Sequence, residues 1–192
     1  MTVGLGLTRQ LLANDAAHGE HYNAVTREQA FMASMQAGAV LGTALTATAV
    51  TLTLYNPTAS GVRVILLDVQ VGITTVPGVG STAFVLAVNN DLTAAVPAVV
   101  TETTIRSCLL GGTKTSKIKA YTAATLPAVP AIGRVISSTY FATAAAAAQF
   151  DIKDKIGGAI CLQPNTCVTV QGVGIASSGI VSLMWEEVPY AL

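Results

Sequence analysis

Thr48-Ala49-Val50-Thr51-Leu52-Thr53-Leu54-Tyr55 is followed by Asn56-Pro57-Thr58-Ala59-Ser60-Gly61 and then by an aliphatic run from Val62 to Ile73. In the first segment Val50, Leu52 and Leu54 alternate with Ala49, Thr51 and Thr53, the period of two of a half-buried strand. Pro57 fixes φ and lacks a donor, Asn56 and Ser60 bond local backbone, and Gly61 tolerates positive φ, so the middle segment is a turn. Val62 to Ile73 is a second strand. Its Ile65, Leu67, Val69, Val71 and Ile73 are expected on one face, and Val64, Leu66, Asp68 and Gln70 on the other. Two strands and a turn predict a hairpin with no catalytic group in it.

Downstream the same signals recur. Thr82 to Val88 is a strand stopped by Asn89-Asn90-Asp91, and Val96 to Thr104 is another, pushed towards a sheet edge by Pro97. Lys117 to Thr122 sets Ile118, Ala120 and Thr122 against Lys117, Lys119 and Tyr121, a strand with one face in water. Gly133 to Phe141 and Ile180 to Val188 read as strands, the latter with Val181, Leu183 and Trp185 on one face. Ala159 to Leu162 and Cys167 to Gln171 flank Gln163-Pro164-Asn165-Thr166 and predict a second hairpin. Ala142 to Ala148 favours helix by propensity but is short and uncapped, which leaves a loop or one to two helical turns.

Residues 1–45 carry no persistent period. Thr26 to Phe31 offers one capped helical turn that Ser34 and Met35 could continue, and the rest reads as an extended arm reaching on the order of 150 Å. The expected organisation is an N-terminal arm, 1–45, and a β-sandwich domain, 46–192. Eight or so strands, no long amphipathic helix and frequent Gly/Pro turns specify an all-β, two-sheet antiparallel β-sandwich. Eight strands in two packed sheets fit a jelly roll, with an immunoglobulin-like sandwich as the alternative topology.

Only 10% of the residues are charged, against about 25% in an ordinary soluble domain, and ten Lys and Arg balance ten Asp and Glu. A free monomer of this composition exposes Ala, Val, Thr and Gly to solvent, so contacts with further copies or partners are expected. Neutrality argues against nucleic-acid binding, which needs clustered cations; Lys114, Lys117 and Lys119 read as a solvated loop. Gln29 to Val62 has no charge, yet its Thr and Gly content and strand periodicity argue against a membrane span. Met1 to Arg9 lacks the pattern of a signal peptide, so synthesis in the cytoplasm is expected.

Chemistry-bearing clusters are few. His18-Gly19-Glu20-His21 has metal-ligand residue types, but its spacing suits no zinc motif and it reads as polar arm. Glu186 and Glu187 are neighbours on a strand and point to opposite faces, so they form no acid/base couple and read as strand-end charges or interface partners. Trp185 reads as a core or interface anchor. Val3-Gly4-Leu5-Gly6 follows no strand and is no phosphate loop. Cys108, Cys161 and Cys167 are odd in number and irregular in spacing, the pattern of reduced core residues; Cys161 and Cys167 could face each other across the second hairpin. No enzyme, cofactor or metal is expected.

Leu54-Tyr55-Asn56-Pro57 with Ser60-Gly61-Val62, then Ala124-Thr125-Leu126-Pro127, and then Met184-Trp185-Glu186-Glu187-Val188-Pro189 together resemble a family of small tailed-bacteriophage virion proteins. Ala17-His18-Gly19 to Tyr22, with Ala24-Val25 and Arg27, is similar too, so the likeness spans most of the chain. The resemblance implies a capsid decoration or cement protein. Its sandwich subunits would be homotrimers seated on the major capsid protein at the outer surface of the virion. It transfers no site residue. The other reading on this fold is a receptor- or glycan-binding module of a tail or head fibre.

Overall fold

The computed structural model describes residues 17–49, 51–75, 78–90, 97–142 and 150–190. A short helix, α1 (Tyr22–Thr26), precedes β1 (Ala30–Ser34), β2 (Ala39–Val40), β3 (Thr48–Ala49), β4 (Thr53–Asn56), β5 (Val62–Thr75) and β6 (Gly80–Asn89). After these come β7 (Ala98–Glu102), β8 (Ile105–Ser107), β9 (Lys119–Thr125) and β10 (Ala131–Phe141). The chain closes with β11 (Phe150–Lys155), β12 (Cys161–Leu162), β13 (Thr166–Gly174) and β14 (Ser178–Pro189). The Ala142 to Ala148 segment lies, but for Ala142, outside the described residues, as do residues 1–16 of the arm.

Two antiparallel sheets pack face to face. The first runs β11-β5-β14-β1-β8, with β12 also on β5 and β2 on β14; the second runs β10-β6-β13-β4-β9-β3, with β7 also on β9. The core between them takes every second residue of the long strands: Val69 and Val71, Leu183 and Trp185, Phe84 and Leu86, Val168 and Val170. Each such side chain contributes about 1.5–3 kcal/mol when fully buried. Setting aside β7 to β9 and the two-residue strands, eight strands remain. In chain order they lie 6-3-8-1 in the first sheet and 5-4-7-2 in the second.

The opening pair is not a hairpin. Both edges of β4 are taken, by β13 and by β9, so β5 has no edge to join and crosses to the other sheet. Pro57 to Gly61 makes that crossing, since five residues easily span the roughly 10 Å between packed sheets. The second expected hairpin is also such an arch: β12 pairs with β5 and β13 with β4 and β6. Asn56, fully buried, clamps the two arches together, its Nδ2 donating to Val62 O at 2.9 Å and to Leu162 O at 3.1 Å. Its Oδ1 accepts from the Ser60 hydroxyl at 2.5 Å, and its backbone carbonyl from Asn165 N at 2.7 Å.

The faces of β5 also differ from strict alternation. Val62, Val64 and Leu66 are buried, and then Val69, Val71 and Ile73. Register on β14 jumps from Met184↔Asp68 to Trp185↔Leu66, which leaves Leu67 as a bulge that resets the phase.

The arm expected over residues 1–45 is corrected from Ala30 onward. Ala30–Ser34 is a strand between β14 and β8, with Phe31 and Ala33 buried, and Met35 and Leu41 continue the core. The helical turn ends at Thr26 rather than passing through Phe31, and Glu28 takes a φ of 54° where the chain turns into β1. Likewise β9 does not turn one face to water. Tyr121 is 6% exposed and packs with Tyr55, Leu126 and Cys167 in a second apolar cluster on the far side of its sheet.

Candidate functional site

The alternation of β14 puts Glu187 on the same face as Trp185, where an unpaired carboxylate is costly. It is 6% exposed and accepts from Trp185 Nε1 at 3.2 Å, from Lys117 N at 3.1 Å and from the Ser116 hydroxyl. Ser116 Oγ in turn accepts from Ile118 N at 3.1 Å. A second carboxylate, Glu28, accepts from Lys114 N at 2.9 Å and Thr113 N at 3.4 Å. The loop from Ser107 to Lys119 is thus held at two points. Between it and β7 to β9 lies a cleft of about 380 Å³, with Phe31 and Ile118 at its base and Thr103, Thr113, Lys114 and Thr115 on its walls.

The residues weighed from sequence go to separate tasks. His18 stacks on Tyr22 with ring centroids 4.6 Å apart, His21 is the residue before α1, and Glu20 pairs with Lys155 across to β11. That pairing holds the Glu20 carboxyl below and the Lys155 ammonium above their ordinary ranges. Among the described residues no three His, Cys, Asp or Glu side chains are placed to hold a metal. Glu186 and Glu187 do point to opposite faces, but Glu187 is a brace within the chain rather than a free strand-end charge. Trp185, with no exposed surface, is a core anchor. Lys119 pairs with Glu102 at 3.0 Å, while Lys114 and Lys117 enter the braces through their backbones.

All three thiols are free. Leu162 and Val168 point into the core, so Cys161 on β12 and Cys167 on β13 project from opposite outer faces and form no bridge. Burial pushes the Cys167 thiol up to about 11 and raises that of Cys108.

What sequence reading missed is the outer surface of β10. Its register on β6 places Ile132 beside Ala87, Val135 beside Val85 and Tyr140 beside Ser81, all on the side away from Phe84 and Leu86. Residues three and five apart share that side only because the register shifts between Ile132 and Arg134 and again between Val135 and Ser137. Arg134 reaches across to β11 and grips Asp154 through two bonds, at 2.8 and 3.0 Å, tying the two sheets together. Bulges leave no mark in the hydrophobic pattern, which is why the shared face was invisible.

No helix among the described residues is long and apolar enough to cross a membrane. No protein-family model matches the chain, and no curated protein or solved structure matches it either.

Proposed function

We propose that this chain is a structural virion protein that decorates and cements a phage capsid shell. It would sit on the outer surface of the head and contact the major capsid protein and further copies of itself. The observation that carries the reading is the division of labour between charge and apolar surface. Glu28, Glu187 and Asp154 brace the fold internally, while Val99, Leu110, Val129, Ile132, Val135 and Tyr140 stand exposed. A cement protein needs a rigid body and weak, low-charge contacts that sum over a lattice. The strand order supports a jelly roll: 6-3-8-1 facing 5-4-7-2 is the interleaving of two Greek keys, with β7 to β9 an excursion that widens both sheets.

Light scattering and co-sedimentation with empty phage heads test the proposal. Binding that raises the thermal rupture temperature of the heads supports it, and an oligomer that ignores heads overturns it. The fibre-module reading has one observation in its favour, the cleft walled by Thr103, Thr113, Lys114 and Thr115. Hydroxyl and ammonium groups suit a saccharide, and binding on a glycan array that is lost in Lys114→Ala and Thr115→Tyr would favour that reading.

A further inference from the structure

We infer that the outer surface of β10 is a contact surface for a second copy of this chain, packed side chain to side chain about a two-fold axis. The residues involved are Val129, Ile132, Val135 and Tyr140, exposed by 62%, 51%, 55% and 66%. They fall within one stretch of twelve residues, and β10 turns the last three to one face by means of its two register shifts.

The occupant follows from charge. Between Lys119 and Asp151 the sequence has one charged residue, Arg134, and its guanidinium reaches across to β11, where Asp154 holds it through two bonds. The patch therefore has no free charge, and a second copy of the same patch meets it without like-charge repulsion. A charged partner would face nothing to pair with. The same two register shifts blunt the backbone edge against strand pairing, so contact runs through side chains rather than through an extended ladder.

Area sets the strength. The three residues on the β10 face expose roughly 350 Å² per copy, and Val129, two residues before the strand, adds about 100 Å², inside the range of single functional patches. Two copies with a polar rim bury roughly 1,000 Å², the low end for specific association. The pair is reversible and concentration-dependent. A patch that meets itself closes at two copies, in place of the three-fold order implied by the phage resemblance. The inference does not rest on the capsid reading, since a pair that ignores phage heads refutes that reading and leaves this one standing.

Sedimentation equilibrium of the full chain, from 1 to about 200 μM, tests it. The expected mass rises with concentration towards twice the 19.6 kDa of one chain. Val135→Lys and Tyr140→Lys, both at exposed positions, are each expected to weaken the pair about a hundredfold, because each copy would bury an ammonium group against a patch with no charge to pair with it. Their folding is checked by the fluorescence of buried Trp185. Leu110→Lys, on the distant loop, is expected to leave the mass unchanged. A single-chain mass throughout, a mass of three chains, folded Lys variants that keep the pair, or dissociation by Leu110→Lys each overturn the inference.

Discussion

Asn56 offers the sharpest test of how the two arches are held. Its amide donates to two buried carbonyls, Val62 O and Leu162 O, on two separate connections between the sheets. In Asn56→Ala both bonds vanish. Val62 O keeps a contact from the Ser60 hydroxyl at 3.3 Å, whereas Leu162 O loses its side-chain donor. One net hydrogen bond at about 1 kcal/mol plus a penalty of about 1–3 kcal/mol for the buried Leu162 carbonyl gives a loss of about 2–4 kcal/mol. Asn56→Asp keeps the shape but aims an oxygen at both carbonyls, so at neutral pH it is expected to be the worse variant, by about 1 kcal/mol or more. Protonating that carboxyl restores one donor. Its pKa in the folded state is therefore raised, and the deficit of the Asp variant against wild type should shrink as pH falls through that value. Urea unfolding followed by Trp185 fluorescence gives the free energies, with unchanged m-values as the check on two-state behaviour. A cost below 1 kcal/mol for Asn56→Ala, or an Asp variant no worse than the Ala variant at pH 7, would refute the clamp.

Glu187→Ala strands Trp185 Nε1 and frees the loop at Ser116 and Lys117, an expected loss of about 2–3 kcal/mol; hydrogen exchange at the amides of 116–118 should rise with it, and unchanged exchange would show that the loop is held otherwise. Cys167 titrates from 9.0 in the unfolded chain to about 11 when folded, so its contribution is complete below pH 9 and is lost as pH rises towards 11. Cys167→Ala should flatten the fall in stability over that window by about 2–3 kcal/mol relative to wild type. Gly174 has a φ of 122°, and a Cβ there would lie 2.2 Å from Ser81 O, so Gly174→Ala is expected to cost about 3 kcal/mol or more or to prevent folding; a melting temperature equal to wild type would contradict it. Deleting residues 1–16 leaves β1 intact and is expected to weaken head binding while the sandwich still melts cooperatively; full binding by the truncated protein would remove the arm from the cementing contact.

Strand content was legible where apolar residues run on, as over Ala83 to Val88 in β6, or alternate, as Val181, Leu183 and Trp185 do in β14. Pairing was not. An Asn-Pro turn with Gly at its end serves a hairpin or an arch equally well, and the choice between them was made by β13, more than a hundred residues downstream, occupying the edge of β4. β1 was hidden by its own composition: Ala30, Met32 and Ala33 are helix formers, and only pairing with β14 and β8 makes them extended. The bulge at Leu67 and those in β10 shift the phase by one residue, which a sequence pattern reports as noise. Glu186 and Glu187 were legible as pointing to opposite faces, but the partners that make Glu187 a brace come from a loop seventy residues earlier, beyond any local reading.

The same scarcity of charge that drew attention in the sequence explains why the structure divides its surface as it does. With ten acidic residues in the chain, each carboxylate used as a brace is one fewer available to keep an exterior solvated. Glu28 and Glu187 fix a loop, and Asp154 joins β11 to β10. The segment from 120 to 150 is left with one charge, and that one is paired with Asp154. A sandwich built in this way is stiff within itself and adhesive on β10. In a solitary soluble domain that combination is a liability; on a lattice, where many weak uncharged contacts add, it is what a cementing subunit requires.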